Sequence, residues 1–179
     1  MKIISGRFKG RSIKIRKTNS FRPTLSRIRE DIFNLLKHNK ILNINIEDSI
    51  FCDLFCGSGS IGLEALSRGA KRVIFNDIDS FNVQLVKDFL LKTESHNYEL
   101  SNIDAFISKD LISKDTSILY VDPPYDSDME LLRSHILPQI PDYCLIIYET
   151  NKRFEKQDFL LKKEYKNKNL YFFRKAIEI

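Results

Sequence analysis

The tetrapeptide Asp122-Pro123-Pro124-Tyr125 follows the apolar run from Ile118 to Val121. An exocyclic amine on a nucleobase is a poor nucleophile because its lone pair is delocalised into the ring. The Asp122 carboxylate and the Pro123 carbonyl can accept hydrogen bonds from both N–H groups of such an amine, and proline fixes the direction of that carbonyl. Tyr125 offers a flat face for stacking on an extruded base. The tetrapeptide therefore predicts a site for methyl transfer to an amine.

A glycine-rich turn forms the second candidate site. From Asp53 to Gly62 the chain reads Asp-Leu-Phe-Cys-Gly-Ser-Gly-Ser-Ile-Gly, between a predicted strand and a predicted helix. A side chain at Gly57 or Gly59 would block the approach of a ligand to the backbone, and Gly62 allows close packing of helix and sheet. Asp77 ends the next strand, 20 residues after Gly57, where its carboxylate can accept both hydroxyls of a ribose. The pattern predicts a nucleoside-containing cofactor.

The charge beside this turn favours one cofactor. Asp53 repels a pyrophosphate but can pair with a cationic amino group. S-adenosylmethionine carries an α-amino group, a sulfonium and a ribose but no phosphate, so it fits better than NAD or FAD. A P-loop is excluded because no Gly-Lys-Ser/Thr follows the turn. After the third strand, Ile103 could contact the adenine face and Asp104 its amino group, although a helix N-cap role for Asn102 or Asp104 is an equally good explanation.

Short apolar strands alternate with amphipathic helices from residue 50, which predicts right-handed βαβ units. We expect an α/β fold with a Rossmann-like, doubly wound, mainly parallel sheet, an antiparallel C-terminal hairpin and a small N-terminal hairpin and helix. Residues 1–40 would form the basic extension and residues 41–179 the main domain. The predicted strands span 50–54, 72–76, 98–101, 117–121 and 143–148, and the two hairpin strands span 159–165 and 170–177. The first predicted helix begins at Thr24, and the later helices span 61–67, 80–91 and 127–136.

Charge is unevenly distributed along the chain. The chain has 29 basic and 24 acidic residues. Ten of the basic residues and none of the acidic ones lie in residues 1–29, so residues 30–179 contain 19 basic and 24 acidic residues. A +10 segment on a −5 body suits a polyanion such as a nucleic acid. The alternative is a solvated, solubilising face. Arg22, Arg27 and Arg29 would lie near the start of the first helix, where their side chains could reach a neighbouring site.

Composition limits the remaining classes. The chain has 179 residues, 42% of them hydrophobic, which suits one ordinary domain. No apolar run approaches a membrane span and no secretory signal is visible, so we expect a cytoplasmic protein. Three cysteines without C-x-x-C spacing and three scattered histidines predict neither a disulfide framework nor a metal site.

The motifs together resemble the RsmD family, which methylates the exocyclic N2 of one guanine in 16S ribosomal RNA. The resemblance rests on Ile3 to Arg11, Arg22 to Glu30 with Phe33-Asn34, Asp53 to Ala70 and the Asp-Pro-Pro-Tyr tetrapeptide, in the family's order. Cys56 stands where many members carry alanine, and Asn76-Asp77 replaces an apolar residue followed by glutamate. Neither change removes a required chemical group.

The resemblance implies a class I methyltransferase that acts on small-subunit rRNA or a partly assembled 30S particle. We also expect a monomer and, because the sulfonium already activates the methyl group, no need for a metal. The resemblance assigns catalysis to Asp122, Pro123, Pro124 and Tyr125. The segment from Arg22 to Thr24 would lie near the methionine end of the cofactor or a substrate phosphate. The candidate cofactor contacts are Arg22, Thr24, Asp53, Phe55, Gly57, Ser58, Gly59, Asp77, Ile78, Ile103 and Asp104, and the candidate RNA contacts are Arg7, Lys9, Arg11 and Arg27.

Other functions remain open at this stage. The same chemistry could act on a DNA adenine or cytosine or on a protein glutamine, although 179 residues leave no room for a large DNA-recognition domain. A catalytically inert RNA-binding or assembly module and an NAD-dependent oxidoreductase are the alternatives from other classes.

Overall fold

A seven-stranded sheet forms the centre of the protein, in a computed structural model that describes residues 1–15, 24–124, 132–154 and 159–175. The strand order is β3-β2-β1-β4-β5-β7-β6. Three α-helices accompany the sheet in these ranges. The helices are α1 (Thr24–His38), α2 (Ser60–Ser67) and α3 (Ser80–Lys92), and the strands are β1 (Ile50–Asp53), β2 (Arg72–Asn76), β3 (Tyr98–Ser101), β4 (Ile118–Val121), β5 (Leu145–Thr150), β6 (Leu161–Glu164) and β7 (Asn169–Arg174).

The first five strands run parallel, and the C-terminal hairpin reverses the direction. β1 pairs with β2 and β4, β2 with β3, and β4 with β5, all in parallel. β7 then pairs antiparallel with both β5 and β6. This arrangement confirms the predicted doubly wound sheet with an antiparallel hairpin.

Helices and loops cover both faces of the sheet, so the central strands are buried on both sides. Phe51, Ile118 and Ile147 pack in one cluster with apolar residues of α1, α2 and α3. Their strand neighbours Cys52 and Leu119 pack in a second cluster on the other face. The continuous apolar runs of β4 and β5, which prompted the strand predictions, thus serve two cores at once.

The predicted elements agree with the structure to within a few residues. The predicted strand at 143–148 is observed as β5 (Leu145–Thr150), and the hairpin strands are shorter than expected. Gly69 has φ +97° just after α2, as expected for its C′ position. Of the helix predicted at 127–136, the structure describes only the end, a π-helical turn at Leu132–Ile136.

The N-terminal segment forms the expected hairpin-like turn and joins the main core. Lys2 and Ser12 form an antiparallel bridge, and the Ile3 N–H donates to the Arg11 carbonyl at 3.0 Å. Ile3, Phe8 and Ile13 are buried in the same cluster as the strands. The division of the chain at residue 40 stays a prediction, and apolar residues on both sides of it share one core.

Glu64 of α2 fastens this segment to the domain. The fully buried Glu64 carboxylate accepts hydrogen bonds from the backbone N–H groups of Ile4 at 2.8 Å and Ser5 at 2.9 Å. The Arg68 Nε donates to it at 2.8 Å, and the buried Arg29 Nε lies 3.5 Å away. One acidic side chain therefore links α2 to the N-terminal segment and to α1.

Arg29 departs from its predicted place. The prediction put Arg29 where it could reach a neighbouring site, but its side chain is 1% exposed and donates to the Lys2 carbonyl at 2.7 Å. This prediction was wrong, because the apolar face of α1 turns Arg29 towards Glu64. One of the ten basic charges of residues 1–29 thus serves packing.

We expect Glu64→Gln to destabilise the fold strongly. The change leaves the buried Arg29 guanidinium without its anion, so the free energy of unfolding should fall by about 3 kcal/mol in urea titrations. Glu99→Gln is the matched control, because its ion pair with Arg72 is exposed and should be worth less than about 1 kcal/mol. Equal losses in the two variants would contradict the anchoring role of Glu64.

Candidate functional site

The predicted catalytic and cofactor-binding residues that the structure describes gather at the carboxyl edge of the sheet, where parallel strands end together. Asp53 is the last residue of β1, Asp77 follows β2 and Asp122 follows β4. Because Asp53 pairs in register with Tyr120, Asp122 emerges beside the glycine-rich turn. Ile103 and Asp104 follow β3 at the same edge. The glycine turn and the Asp-Pro-Pro segment therefore form one site.

Backbone hydrogen bonds fix the glycine-rich turn. The Cys56 N–H donates to the Asn76 carbonyl at 2.8 Å, and the Gly59 N–H donates to the Cys56 carbonyl at 2.7 Å. The Gly57 N–H donates to Asp77 Oδ2 at 2.7 Å. Asp77 thus holds the turn against β2 in addition to its predicted contact with a ribose, and its other oxygen accepts from the Asp79 N–H at 2.8 Å.

The three glycines of the turn serve different purposes. Gly57 has φ +51°, and a Cβ there would meet no described atom within 4 Å, which leaves space for a ligand. A Cβ on Gly62 would lie 2.3 Å from the Phe75 ring, so Gly62 permits the close helix–sheet contact that we predicted. Gly59 differs from its prediction: its Cβ would point at Val86 of α3, at 2.5 Å, rather than at a ligand.

Asp53 is a buried carboxylate with unused acceptor capacity. Its Oδ2 accepts a hydrogen bond from the Gly62 N–H at 2.9 Å, whereas its Oδ1 has no hydrogen-bond partner among the described residues. Burial raises the pKa of Asp53 to about 7, the Gly62 N–H opposes the rise, and the nearby carboxylates Asp122, Asp77 and Glu149 add to it. An incoming cationic group would satisfy Oδ1 and favour the ionised form.

Amide side chains position the two exposed isoleucines of the site. Asn76 Nδ2 donates to the Ile103 carbonyl at 3.0 Å, and its Oδ1 accepts from the Ile103 N–H at 3.2 Å. Asn102 Nδ2 donates to the Ile78 carbonyl at 2.8 Å. Ile78 and Ile103 remain 66% and 43% exposed at the same edge, which suits contact with a flat ring. Sequence reasoning missed this role of Asn76 and Asn102.

Three further residues predicted to contact the cofactor are Asp104, Phe55 and Ser58. Asp104 Oδ1 accepts from the Phe106 N–H at 2.9 Å, but this bond closes a turn at residues 105–107, so the helix N-cap alternative was wrong because no helix begins there. Phe55 packs against Phe106 with ring centroids 5.4 Å apart. Ser58 is half-buried at the tip of the turn. All three follow β1 or β3 and so lie at the carboxyl edge of the sheet.

A charged network that sequence reasoning missed lies beside Asp122. Lys168, in the β6–β7 turn, places its Nζ 3.3 Å from Asp122 Oδ1 and 3.2 Å from Oδ2. The same ammonium group donates to the Glu149 carboxylate, which also accepts from the Tyr120 hydroxyl. Burial, with the Glu149 and Asp122 carboxylates, raises the pKa of Tyr120 well above its ordinary value. The sequence did contain one signal for this network, because the acidic residues Asp122 and Glu149 stand at the ends of the apolar runs of β4 and β5.

Several predicted residues are not brought to this edge. Arg7 and Arg11 bond to Ser95 Oγ and to the Lys92 carbonyl, beyond and at the C-terminal end of α3, and so lie on the amino side of the sheet. Lys9 is exposed between them. Arg27 is different, because this exposed residue of α1 interacts electrostatically with Tyr165 in the β6–β7 turn, which lies at the carboxyl edge. Tyr125 and Arg22, and the side chain of Thr24, lie outside the described residues.

The described residues contain no cluster of three or more histidine, cysteine, aspartate or glutamate side chains that could hold a metal ion. Likewise, none of the helices within the described ranges is long and apolar enough to cross a lipid bilayer.

A protein family and individual proteins of known sequence match most of this chain. The family described as Conserved hypothetical protein 95 matches residues 1–173. Ribosomal RNA small subunit methyltransferase D from Haemophilus influenzae is 33% identical over 159 residues, which cover 85% of this chain and 79% of the relative.

Solved structures agree with the sequence relatives. A putative methyltransferase from Escherichia coli, yhhF, superposes with a TM-score of 0.76 at 26% identity over 97% of both chains. An RNA methyltransferase from Salinibacter ruber in complex with S-adenosyl-L-homocysteine shares the fold, with a TM-score of 0.68 at 15% identity over 88% of this chain and 96% of that one. The fold is therefore that of class I methyltransferases.

The raised pKa of Asp53 predicts a pH-dependent stability difference. An unfolded aspartate loses its proton near the ordinary pKa of 3.8, whereas native Asp53 keeps it until about 7, so this residue lowers the free energy of unfolding as pH rises. Asp53→Asn removes that effect. In urea titrations, the free energy of unfolding of the variant should rise relative to that of the wild type, by up to about 4 kcal/mol, as the pH is raised from about 4 to about 7. A difference that stays constant over this range would contradict the assignment.

Proposed function

The chain belongs to the RsmD family of ribosomal RNA small subunit methyltransferases, as its motifs predict, and we propose that it methylates the exocyclic N2 of a guanine in 16S rRNA. The methyl donor in this proposal is S-adenosylmethionine. We further propose that the protein acts as a cytoplasmic monomer on small-subunit rRNA or a partly assembled 30S particle.

One observation carries the proposal. The residues that would accept an amine and the residues that would bind a cationic nucleoside follow two adjacent strands, at the same edge of the sheet. Asp122 and Pro123 follow β4, and Asp53 and the turn at Gly57 follow β1, with β1 and β4 paired in register. A donor held by the β1 turn and an amine held at the end of β4 would meet at the shared edge of the sheet. This juxtaposition favours methyl transfer over a binding function alone.

The residues present fit the cofactor. Asp53 Oδ1 is a buried acceptor without a partner among the described residues, which suits an ammonium group. Asp77 is oriented by two backbone N–H groups and can accept from ribose hydroxyls, while Ile78 and Ile103 would contact the adenine. The space at Gly57 leaves the backbone open to the ligand. When bound, S-adenosylmethionine would supply a methyl group already activated by a sulfonium.

Asp122 and Pro123 would perform the substrate side of the reaction. Accepting hydrogen bonds from both protons of the guanine amine withdraws its lone pair from the ring and directs it at the methyl group. Asp122 could then take the proton that the amine loses after transfer. The prolines hold these acceptors in place before the base arrives, which reduces the entropy lost on reaching the transition state. Tyr125 is proposed to stack on the base.

The basic N-terminal segment is proposed as the second contact with RNA. Arg7, Lys9 and Arg11 are exposed and lie on the amino side of the sheet, whereas the methyl-transfer site lies on the carboxyl side. The eight residues of α2 span about 12 Å between these two sides. An RNA that contacts both must extend over that length, which favours a structured rRNA segment over a single nucleotide. Arg27, exposed on α1, is a further candidate contact.

Methylation itself tests the proposed function. The purified protein with tritiated S-adenosylmethionine should label 16S rRNA, and nucleoside mass spectrometry should identify N2-methylguanosine. Asp122→Ala should reduce turnover at least about 100-fold, while cofactor affinity in isothermal titration stays near that of the wild type. Label found only in duplex DNA or protein would overturn the substrate, and loss of cofactor affinity in Asp122→Ala would overturn the role of Asp122.

The RNA-binding segment has a separate test. Replacing Arg7, Lys9 and Arg11 together by Gln should weaken rRNA binding and reduce the slope of log affinity against log salt concentration by about 2, since each phosphate contact contributes about 0.7. The cofactor site lies on the other side of the sheet, so its affinity should not change. An unaltered salt slope would remove these residues from the RNA interface.

A further inference from the structure

We infer that Lys168 is a positioning residue for Asp122, which it holds through a buried charge network that the family motifs do not contain. This inference rests on the proposed role of Asp122 in methyl transfer. Lys168 lies 46 residues beyond Asp122 in the chain, in the C-terminal hairpin, and folding brings the two charges together.

The contact is specific in its geometry. The Lys168 Nζ lies 3.3 Å and 3.2 Å from the two oxygens of Asp122, so the ammonium bridges the carboxylate. The Lys168 side chain is 10% exposed, against 32% for Asp122. Asp122 therefore has the ammonium on its buried side and an exposed side that can face a substrate. A bridged carboxylate has less rotational freedom than one held at a single oxygen.

Residues of the central sheet and of the β6–β7 turn hold Lys168 in place. Its ammonium donates to Glu149, whose side chain is 1% exposed and which also accepts from the Tyr120 hydroxyl. The Tyr165 N–H donates to the Lys168 carbonyl at 2.8 Å, which closes the turn between β6 and β7. Tyr120 and Glu149 belong to the central strands β4 and β5. The position of Asp122 is thus set by the rigid sheet as well as by its own loop.

The surrounding charges require a cation at this place. Asp53, Asp122 and Glu149 are close enough to raise one another's electrostatic energy, and the hydroxyls of Tyr120 and Tyr148 lie in the same field. Burial lowers the pKa of Lys168, but the carboxylates of Asp122 and Glu149 outweigh that effect, so its pKa lies above the ordinary value. Lys168 therefore stays charged and presents a cation to the Asp122 carboxylate.

A neighbouring lysine provides the matched control. Lys166 lies in the same turn and carries the same charge, but it is exposed, whereas Lys168 is buried. A general effect of hairpin charge on RNA binding would appear in both Lys166→Met and Lys168→Met. An effect transmitted through Asp122 would appear only in Lys168→Met. Lys168→Arg keeps the charge and serves as the conservative variant.

The test compares these variants in methylation kinetics over a range of pH. In Lys168→Met we expect kcat to fall roughly 10- to 100-fold, because a displaced acceptor no longer matches the amine. The acid limb of the kcat profile should move to higher pH by about one unit, because the cation no longer favours the carboxylate form. Cofactor affinity should not change, Lys168→Arg should recover part of kcat, and Lys166→Met should match the wild type.

Three results would overturn the inference. A lower melting temperature with unchanged kcat and pH profile would make Lys168 purely structural. A higher KM for RNA with a reduced salt slope and unchanged kcat would make it a phosphate contact. The titration of the Asp122 carboxyl, followed by ¹³C NMR in the free protein, needs no substrate. An upward shift in Lys168→Met would support the contact even if the wild type methylated no rRNA, and an unchanged titration midpoint would overturn it.

Discussion

Carboxylates crowd the carboxyl edge of the sheet, and the rest of the site is arranged around their repulsion. Asp53, Asp77, Asp122 and Glu149 lie near enough for the other three to raise the pKa of Asp53, after burial itself. Backbone N–H groups offset part of the cost at Asp53 and Asp77, and Lys168 offsets it at Asp122 and Glu149. Such an edge disfavours phosphate and favours a cationic ligand, which is the charge of a sulfonium donor with an amino group.

The sheet turns this local chemistry into a shared site. Parallel pairing of β1 with β4 places the glycine turn and the Asp-Pro-Pro segment side by side, although about 60 residues separate them in sequence. Because β7 runs antiparallel to β5, the turn that precedes β7 lies at the same carboxyl edge, whereas a turn before a parallel strand would lie at the amino edge. In the proposed mechanism the C-terminal hairpin therefore contributes Lys168 to the site and is not only an edge of the sheet.

Much of this arrangement could be predicted from the sequence because it depends on local patterns. Apolar runs located β4 and β5, and Gly62 and Asp77 followed from the spacing of a strand-turn-helix unit. The roles of Glu64 and Lys168 could not be predicted, since they depend on partners distant in the chain: Ser5 lies 59 residues from Glu64, and Asp122 lies 46 residues from Lys168. Arg29 was misjudged for the same reason: a charge near a helix start looks exposed until its buried partner on another helix is known.

A crystal structure with S-adenosylhomocysteine tests the central claim most directly. The distance from the cofactor sulfur to the Pro123 carbonyl oxygen decides between methyl transfer at this edge and any other use of the fold. We expect the sulfur to face that oxygen across a gap that a nucleobase amine can enter, with the cofactor's amino group near Asp53. A sulfur directed away from Pro123, or a gap closed by protein atoms, would contradict the joint site.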